Sequence, residues 1–430
     1  MPKVSEHFAS LKPSAIRRAQ IEFEKRTDGV KAINVAIGNV TLPMHPAMQE
    51  RMFHLNSEIS PFKDGVVGYT TTAGTPEANA AMKNVLKASG VNVENLFTHI
   101  TSGGSEAMEY VILGVCEKDR PLLVIDPIYT NYHSLTKRVG LPIISYPRGL
   151  NENGDFETID LIKLEELIKS TNPGALLVIP YDNPTGAHMG LSTLRELAAL
   201  CIKHDMWFVS DEAYRELHYG DKELSSVWAI LESDVPGIVG RRVSIESASK
   251  VYNACGLRIG AIVTDNEEFH TQAVAEHTTN LCASAISQYI FAALAEENVE
   301  GLQAWFKAQR AHYEELIKTT VEGLKEQDEK LIVSSPEAAL YSVVDVRNLV
   351  TEYFDSADFS LFCAQEGFAM LDDGEYTLLI SPMSGFYTDG NYEVNPGRTQ
   401  LRIAYVQDEQ TMKKVPELFY RLLKQYLLED

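Results

Sequence analysis

A run of apolar residues ends in two carboxylates in the stretch Trp207-Phe208-Val209-Ser210-Asp211-Glu212-Ala213-Tyr214. Similar apolar runs lie earlier in the chain, at 122–125 and 175–178, and each is also followed by polar residues. Candidate crossover helices occupy 158–170 and 192–205. Strand-like and helical segments alternate from about residue 95 to 265, which is the pattern of a parallel sheet with crossover helices. The sequence therefore predicts an α/β fold whose ligand site lies at the carboxyl ends of the strands.

A second stretch carries a lysine with informative neighbours: Ser247-Ala248-Ser249-Lys250, followed by Gly256-Leu257-Arg258-Ile259-Gly260. A lysine that forms an imine with an aldehyde cofactor needs a neutral amine for part of the cycle, although free lysine has a pKa of about 10.4. Ser247 and Arg258 would anchor a phosphate on the same cofactor, because arginine binds phosphate through two parallel hydrogen bonds. Pyridoxal phosphate meets both requirements. The S-x-x-K pattern alone also describes an ordinary serine-rich turn.

Polar groups at the strand ends match the other needs of that cofactor. Asp211 could pair with a pyridine nitrogen, since a protonated ring is the electron sink of such enzymes. The Tyr214 phenol could bond the cofactor's 3-oxygen, and so could the amide of Asn183 in Tyr181-Asp182-Asn183-Pro184-Thr185-Gly186. The alternatives are a strand end that is polar for solubility and a plain turn.

Two further segments could contact a flat phosphorylated ligand. In Thr101-Ser102-Gly103-Gly104-Ser105-Glu106, glycines and a hydroxyl precede a helical segment, and helix N-termini bind phosphate; an ordinary helix cap is the alternative. One of the tyrosines in Asp126-Pro127-Ile128-Tyr129-Thr130-Asn131-Tyr132 could stack on a ring.

Together these segments resemble the class I/II aminotransferases of the fold-type I pyridoxal phosphate enzymes. The resemblance runs in the family's order across nearly the whole chain, from Ala36-Ile37-Gly38-Asn39 to Thr399-Gln400-Leu401-Arg402-Ile403-Ala404-Tyr405. It is nearest to bacterial and archaeal aspartate aminotransferases, as seen in Ser381-Pro382-Met383-Ser384-Gly385-Phe386-Tyr387-Thr388. It implies a large domain with a mostly parallel central sheet flanked by helices, and a smaller α+β domain.

The resemblance also implies a role for each matching residue. Lys250 would hold the cofactor as a Schiff base and move the substrate's proton, with Asp211 and Tyr214 as its catalytic companions. The phosphate would be held by Gly103, Gly104, Ser105, Ser247 and Arg258, and by Tyr69 reaching across a homodimer interface to the partner's site. Tyr132 would lie over the ring and Asn183 would bond the 3-oxygen. The substrate would be bound by Gly38, Asn183 and Arg402, with Arg402 on the α-carboxylate.

The predicted reaction moves the amino group of an L-amino acid to a 2-oxo acid by a ping-pong mechanism, with aspartate and 2-oxoglutarate as the preferred pair. Some aspartate-using relatives carry a lysine where this chain has Ser105. Arg17 or Arg18 could instead bind a side-chain carboxylate, although an arginine pair on a helix is also typical of a solvated face. Aromatic or neutral amino acids are the alternative substrates. A pyridoxal phosphate lyase and a regulator that senses the cofactor are the remaining hypotheses.

Composition limits the partners. The 430 residues carry a formal net charge of −22, which argues against nucleic acid and anionic membranes as partners. The five cysteines show no zinc spacing, so we predict no metal site and a cytoplasmic location. No apolar run reaches the roughly 20 residues that cross a bilayer. We expect a large domain over residues 46–309 and a small one from 1–45 with 310–430, in a homodimer with shared active sites.

Overall fold

The strands of the residues that the structure describes form three sheets. The computed structural model describes residues 2–9 and 15–429. Its strands are β1 Lys31–Asn34, β2 Phe97–Thr101, β3 Leu122–Ile125, β4 Ile143–Tyr146, β5 Ala175–Val178, β6 Trp207–Asp211, β7 Arg242–Ser247, β8 Gly260–Thr264, β9 Ile332–Val333, β10 Tyr341–Asp345, β11 Ala369–Leu371, β12 Gly374–Leu379, β13 Ser381–Pro382 and β14 Gln400–Ala404.

The helices cover these sheets. They are α1 Glu6–Ala9, α2 Ala15–Phe23, α3 Pro46–Phe53, α4 Pro76–Ala88, α5 Gly104–Val115, α6 Asn131–Val139, α7 Leu161–Thr171, α8 Leu191–Lys203, α9 Glu267–His277, α10 Ala285–Phe291, α11 Val299–Gln327, α12 Ser356–Gln365 and α13 Glu409–Glu429. Helices α7 and α8 fall where the hydrophobic pattern predicts crossover helices. In the part of the chain that the structure describes, no helix is long and apolar enough to cross a membrane.

The largest sheet has seven strands in the order β2-β8-β7-β6-β5-β3-β4. Strand β8 is antiparallel to both of its neighbours, β2 and β7, whereas the pairs from β7 to β4 are parallel. Every residue of β3 and β5 is buried, as expected for strands covered by helices on both faces. The predicted α/β fold with a mostly parallel central sheet is confirmed.

The topology of this sheet collects polar segments at one edge. Strands β2, β5, β6 and β7 are followed by the glycine loop, the Asn-Pro turn, Asp211 and the lysine segment. Strand β8 runs the opposite way, and its first residue, Gly260, pairs with Thr101 and Ser247. Arg258, two residues before Gly260, is therefore delivered to the same edge as the carboxyl ends of the parallel strands.

Two smaller sheets come from the two ends of the chain. One is antiparallel with the order β13-β14-β10-β9, and the other has the order β1-β12-β11, with β1 parallel to β12. Helix α11 runs continuously through 309 and 310, where the domain boundary is expected, so this division of the chain stays a prediction. Helix α13 buries an apolar stripe formed by Val415, Leu418, Phe419, Leu422 and Leu423.

Candidate active site

A cleft of about 380 Å³ lies where the polar edge of the large sheet meets the small antiparallel sheet. The predicted residues that line it are Gly38, Gly104, Ser105, Asn183, Asp211, Tyr214, Ser247, Lys250, Arg258 and Arg402. A larger cleft of about 830 Å³, lined by residues such as Arg148, Glu314 and Lys318, contains none of the predicted site residues. The smaller cleft is therefore the candidate active site, because it contains the predicted site residues.

Lys250 projects into this cleft from the turn that follows β7 and donates a hydrogen bond to the carbonyl of Gly38. Gly38 follows β1, a strand of one of the small sheets, so the contact joins the two parts of the cleft. A Cβ at Gly38 would overlap the Tyr341 hydroxyl and would lie 3.4 Å from Lys250 Nζ. Glycine is therefore required at this close approach.

Asp211 ends β6 as a buried carboxylate at the cleft wall. Its Oδ2 accepts a hydrogen bond of 2.8 Å from the Tyr132 hydroxyl, and its Oδ1 accepts one of 3.1 Å from the Ala213 N–H. Both donors are uncharged. Burial raises the pKa of Asp211 to about 6, against the lowering effect of these two hydrogen bonds, and Glu246 adds to the rise. A cationic N–H in the cleft would supply the missing opposite charge.

The position of Tyr132 differs from the one expected. Its side chain is fully buried, and its hydroxyl bonds Asp211 from behind the cleft. Tyr129 lines the cleft instead, with the two rings edge to face at 5.9 Å. The physical reason is that α6 begins at Asn131, so Tyr132 is turned into the core while Tyr129 stays in the preceding loop. Tyr129 is thus the ring available for stacking, and Tyr132 supports the carboxylate.

The glycine loop leaves a helix N-terminus open. Helix α5 begins at Gly104, and its N-cap residue Gly103 has φ 85° and makes no side-chain capping bond. The first backbone N–H groups of the helix are therefore available to an anion. Arg258 packs so closely against Gly103 that a Cβ there would overlap its guanidinium. Ser247 bonds Ser249 at 2.8 Å between their hydroxyls, and both residues line the cleft.

Arg402, on β14, is buried at the other wall of the cleft. Its Nη1 donates to Asn183 Oδ1 and its Nη2 donates to the Ala36 carbonyl, both at 2.8 Å. Its Nε is buried without a hydrogen-bond partner among the described residues. The guanidinium lies over the rings of Tyr341 and Phe386, at 4.3 and 4.9 Å from their centroids. A carboxylate in the cleft would satisfy the remaining donor capacity of this arginine.

Three predicted residues need separate mention. Tyr69 is 83 % exposed and does not line the cleft of its own chain. Arg17 lines the cleft, whereas Arg18 does not. Sequence reasoning considered both tyrosines of the 126–132 segment but assigned Tyr132 rather than Tyr129, and it missed Tyr341 and Phe386 as wall residues. Tyr341 lies in an ordinary apolar strand and carries no local signal.

The fold and these groups define an enzyme of fold type I, the α/β class that uses pyridoxal phosphate. A model of the family described as aminotransferase class I and II matches residues 31–417, and the chain belongs to this family. It is 23 % identical to the aspartate/prephenate aminotransferase of Thermus thermophilus over 427 residues, covering 98 % of this chain and 99 % of that protein. It is 24 % identical over 285 residues to a protein of Saccharomyces cerevisiae named probable kynurenine–oxoglutarate transaminase, covering 64 % of this chain and 62 % of that protein.

Solved structures show the same fold. A single mutant of the Thermus thermophilus aspartate aminotransferase superposes with a TM-score of 0.80 at 21 % identity, covering 98 % of this chain and all of that one. Like other members of this family, the protein is a transaminase that depends on pyridoxal phosphate.

The residues of the cleft fit that cofactor. Asp211 would pair with the pyridinium N–H, which explains a buried carboxylate without a cation. Gly104, Ser105 and Arg258 would hold the phosphate at the open N-terminus of α5, beside the N-cap residue Gly103, and Tyr129 would cover the ring. When bound, the cofactor supplies an aldehyde carbon that receives the amino group and a ring that withdraws electrons.

Proposed function

We propose that this enzyme transfers the amino group of L-aspartate to 2-oxoglutarate by a ping-pong mechanism. The observation that carries the proposal is Arg402, a largely buried guanidinium that lines the cleft and is held in place by Asn183 and Ala36. Both substrates of a transamination present an α-carboxylate, and one fixed arginine can serve them in turn.

The chain's own residues would divide the work as follows. Arg402 would orient the amino acid through its carboxylate, so that the α-carbon faces Lys250. Lys250 Nζ, once free, would take the proton from the α-carbon and return it to the cofactor in the forward half-reaction. Asp211 would keep the pyridine nitrogen protonated, because its burial makes an adjacent positive charge favourable. Asn183 and Tyr214 would hold the 3-oxygen.

A dicarboxylic substrate also needs a second cation, and Arg17 supports this choice. It lies on α2 and lines the same cleft as Arg402. The chain's net charge of −22 would repel a dianion at long range, so local arginines must provide the attraction. Replacing Arg17 with Ala is expected to weaken aspartate more than alanine as an amino donor, and an equal loss for both would remove Arg17 from this role.

We further propose a homodimer in which Tyr69 completes the partner's phosphate site. Tyr69 does not line the cleft of its own chain and is 83 % exposed, and apolar neighbours on the same segment are also exposed: Ile59 at 90 %, Val66 at 69 % and Val67 at 55 %. A second copy would bury this apolar surface. The free state of all five cysteines supports the cytoplasmic location that we propose.

The visible absorption spectrum of the protein loaded with pyridoxal phosphate tests the reaction. Adding L-aspartate should abolish the band of the lysine-bound cofactor, and 2-oxoglutarate should restore it. Glutamate, alanine, tyrosine and kynurenine provide the comparison. If aspartate leaves the band unchanged while a neutral or aromatic donor removes it, the dicarboxylic substrate is wrong and the aromatic wall of Tyr129, Tyr341 and Phe386 becomes the better guide to specificity.

A further inference from the structure

Tyr341 occupies a central place in the cleft that no motif indicated. It is the first residue of β10, in the small antiparallel sheet, and only 2 % of its surface is exposed. Its hydroxyl lies 2.8 Å from the hydroxyl of Tyr214, and its ring lies beneath the guanidinium of Arg402, 4.3 Å from the ring centroid. Tyr341 thus contacts both Tyr214, which is assigned to the cofactor, and Arg402, which is assigned to the substrate.

We propose that Tyr341 is a positioning residue with two separable functions, in which its hydroxyl orients the proton of Tyr214 towards the cofactor and its ring holds Arg402 for the substrate carboxylate. This inference rests on the proposed function, because it uses the roles given there to Tyr214 and Arg402.

The function proposed for the Tyr341 hydroxyl follows from the hydrogen bonds around the Tyr214 oxygen. Arg402 Nη1 donates to Asn183 Oδ1 at 2.8 Å, and a guanidinium can only donate, so the amide orientation of Asn183 is determined. The Nδ2 of Asn183 must then donate to the Tyr214 oxygen, at 3.3 Å. When Tyr341 also donates to that oxygen, the lone pairs of Tyr214 are both used. The single proton of Tyr214 is left to point into the cleft, where the 3-oxygen of the cofactor would accept it.

Tyr214 also keeps that proton. Burial raises the pKa of the Tyr214 phenol well above its ordinary value, whereas Arg402 lowers it. The phenol is therefore a donor at any working pH. Its strength as a donor depends on the bond that it accepts from Tyr341, because chains of hydrogen bonds polarise one another.

The ring function follows from the surroundings of Arg402. The guanidinium is covered by Tyr341 and, at 4.9 Å, by Phe386. Such contacts favour the planar cation and limit its motion. Phe386 has no hydroxyl with which to bond Tyr214, so it shares one function of Tyr341 and lacks the other. Substitutions of Tyr341 and Phe386 can therefore separate the function of the ring from that of the hydroxyl.

The test uses the full-length protein loaded with pyridoxal phosphate and two readouts that are independent of turnover. The first is the pH at which the visible band of the lysine-bound cofactor titrates. The second is the affinity for maleate, an unreactive dicarboxylate, measured by isothermal titration calorimetry. Circular dichroism verifies that each variant is folded.

Each variant has a distinct expected result. Tyr341→Phe should raise the titration midpoint by about 0.3 pH unit, because a weaker donor stabilises the 3-oxygen anion less, and it should bind maleate like the wild type. Phe386→Leu should weaken maleate binding about fivefold with an unchanged midpoint. Tyr341→Leu should show both effects.

Two results would overturn the inference: a Tyr341→Phe midpoint equal to that of the wild type, or the same midpoint shift in Phe386→Leu. A wild-type protein that forms no visible band with pyridoxal phosphate would instead contradict the proposed function, and with it the inference, before any variant is compared.

Discussion

Replacing Asp211 with asparagine is expected to stabilise the cofactor-free protein while it removes the partner of the pyridine nitrogen. Burial raises the pKa of Asp211 from its ordinary 3.8 to about 6. At 1.36 kcal/mol per pH unit, the ionised carboxylate costs the fold about 3 kcal/mol above pH 7. Asparagine carries no charge, but it has one acceptor oxygen for two donors, which removes about 1 kcal/mol of the gain. The net stabilisation is about 2 kcal/mol.

The sign of this effect depends on pH. Asp211 titrates near pH 6 in the folded protein and near about 3.9 in the unfolded chain. Between these values the folded wild type holds a proton that the unfolded chain lacks, so the wild type gains stability as the pH falls through about 6. The variant has no such group. Its advantage is therefore present at pH 8, shrinks below pH 6 and reverses near pH 4, where only the missing hydrogen bond remains.

Urea unfolding of the cofactor-free proteins, followed by circular dichroism at pH 8 and at pH 4.5, measures this difference. Asp119→Asn is the control, because Asp119 is exposed and its replacement should be neutral at both pH values. Pyridoxal phosphate should then reverse the order, since a ligand that binds only the folded state stabilises the better binder. An Asp211→Asn variant that is no more stable than the wild type at pH 8, or whose advantage is the same at both pH values, would refute the reasoning.

Further predictions concern the neighbours of Asp211. Lys250→Ala should abolish the visible band of the lysine-bound cofactor and all turnover, whereas Lys413→Ala, an exposed lysine paired with Glu409, should change neither; a band in the Lys250 variant would contradict the assignment. Arg402→Ala should weaken maleate binding about 100-fold with cofactor affinity retained, against Arg421→Ala as a surface control, and calorimetry that finds equal affinities would exclude Arg402 from substrate binding. Tyr132→Phe removes the hydroxyl that lowers the Asp211 pKa, so Asp211 should become protonated, and cofactor binding should weaken, at a pH about one unit higher than in the wild type. Fluorescence titration of the apoprotein with cofactor across pH 5–8 measures this shift, and an unchanged pH profile would argue against the Tyr132–Asp211 hydrogen bond. Gly103→Ala forces a Cβ onto a residue with φ 85° and against Arg258, so it should weaken binding of pyridoxal phosphate about tenfold but not that of pyridoxal, and an equal loss for both ligands would place Gly103 outside the phosphate site.

Local patterns were enough to predict much of this molecule. Apolar runs bounded by turn residues predicted central parallel strands, and their polar ends predicted Asp211 and Asn183 on one edge of a sheet, while Lys250 was predicted from its spacing to Ser247 and Arg258. This succeeds because the carboxyl ends of parallel strands meet at the same edge, whatever the order of the strands. The same patterns did not predict the antiparallel direction of β8, which delivers Arg258 to that edge.

The sequence by itself determined the fold class, the family and the residues whose chemistry depends on local spacing. Tertiary structure alone decided which of two tyrosines, 129 or 132, faces the cleft, since the start of α6 at Asn131 turns them in different directions. It also decided the contact of Tyr341 with Tyr214, residues separated by 127 positions, and the burial that raises the pKa of Asp211. Contacts across such separations depend on how sheets and helices pack in three dimensions, and no spacing along the chain encodes that packing.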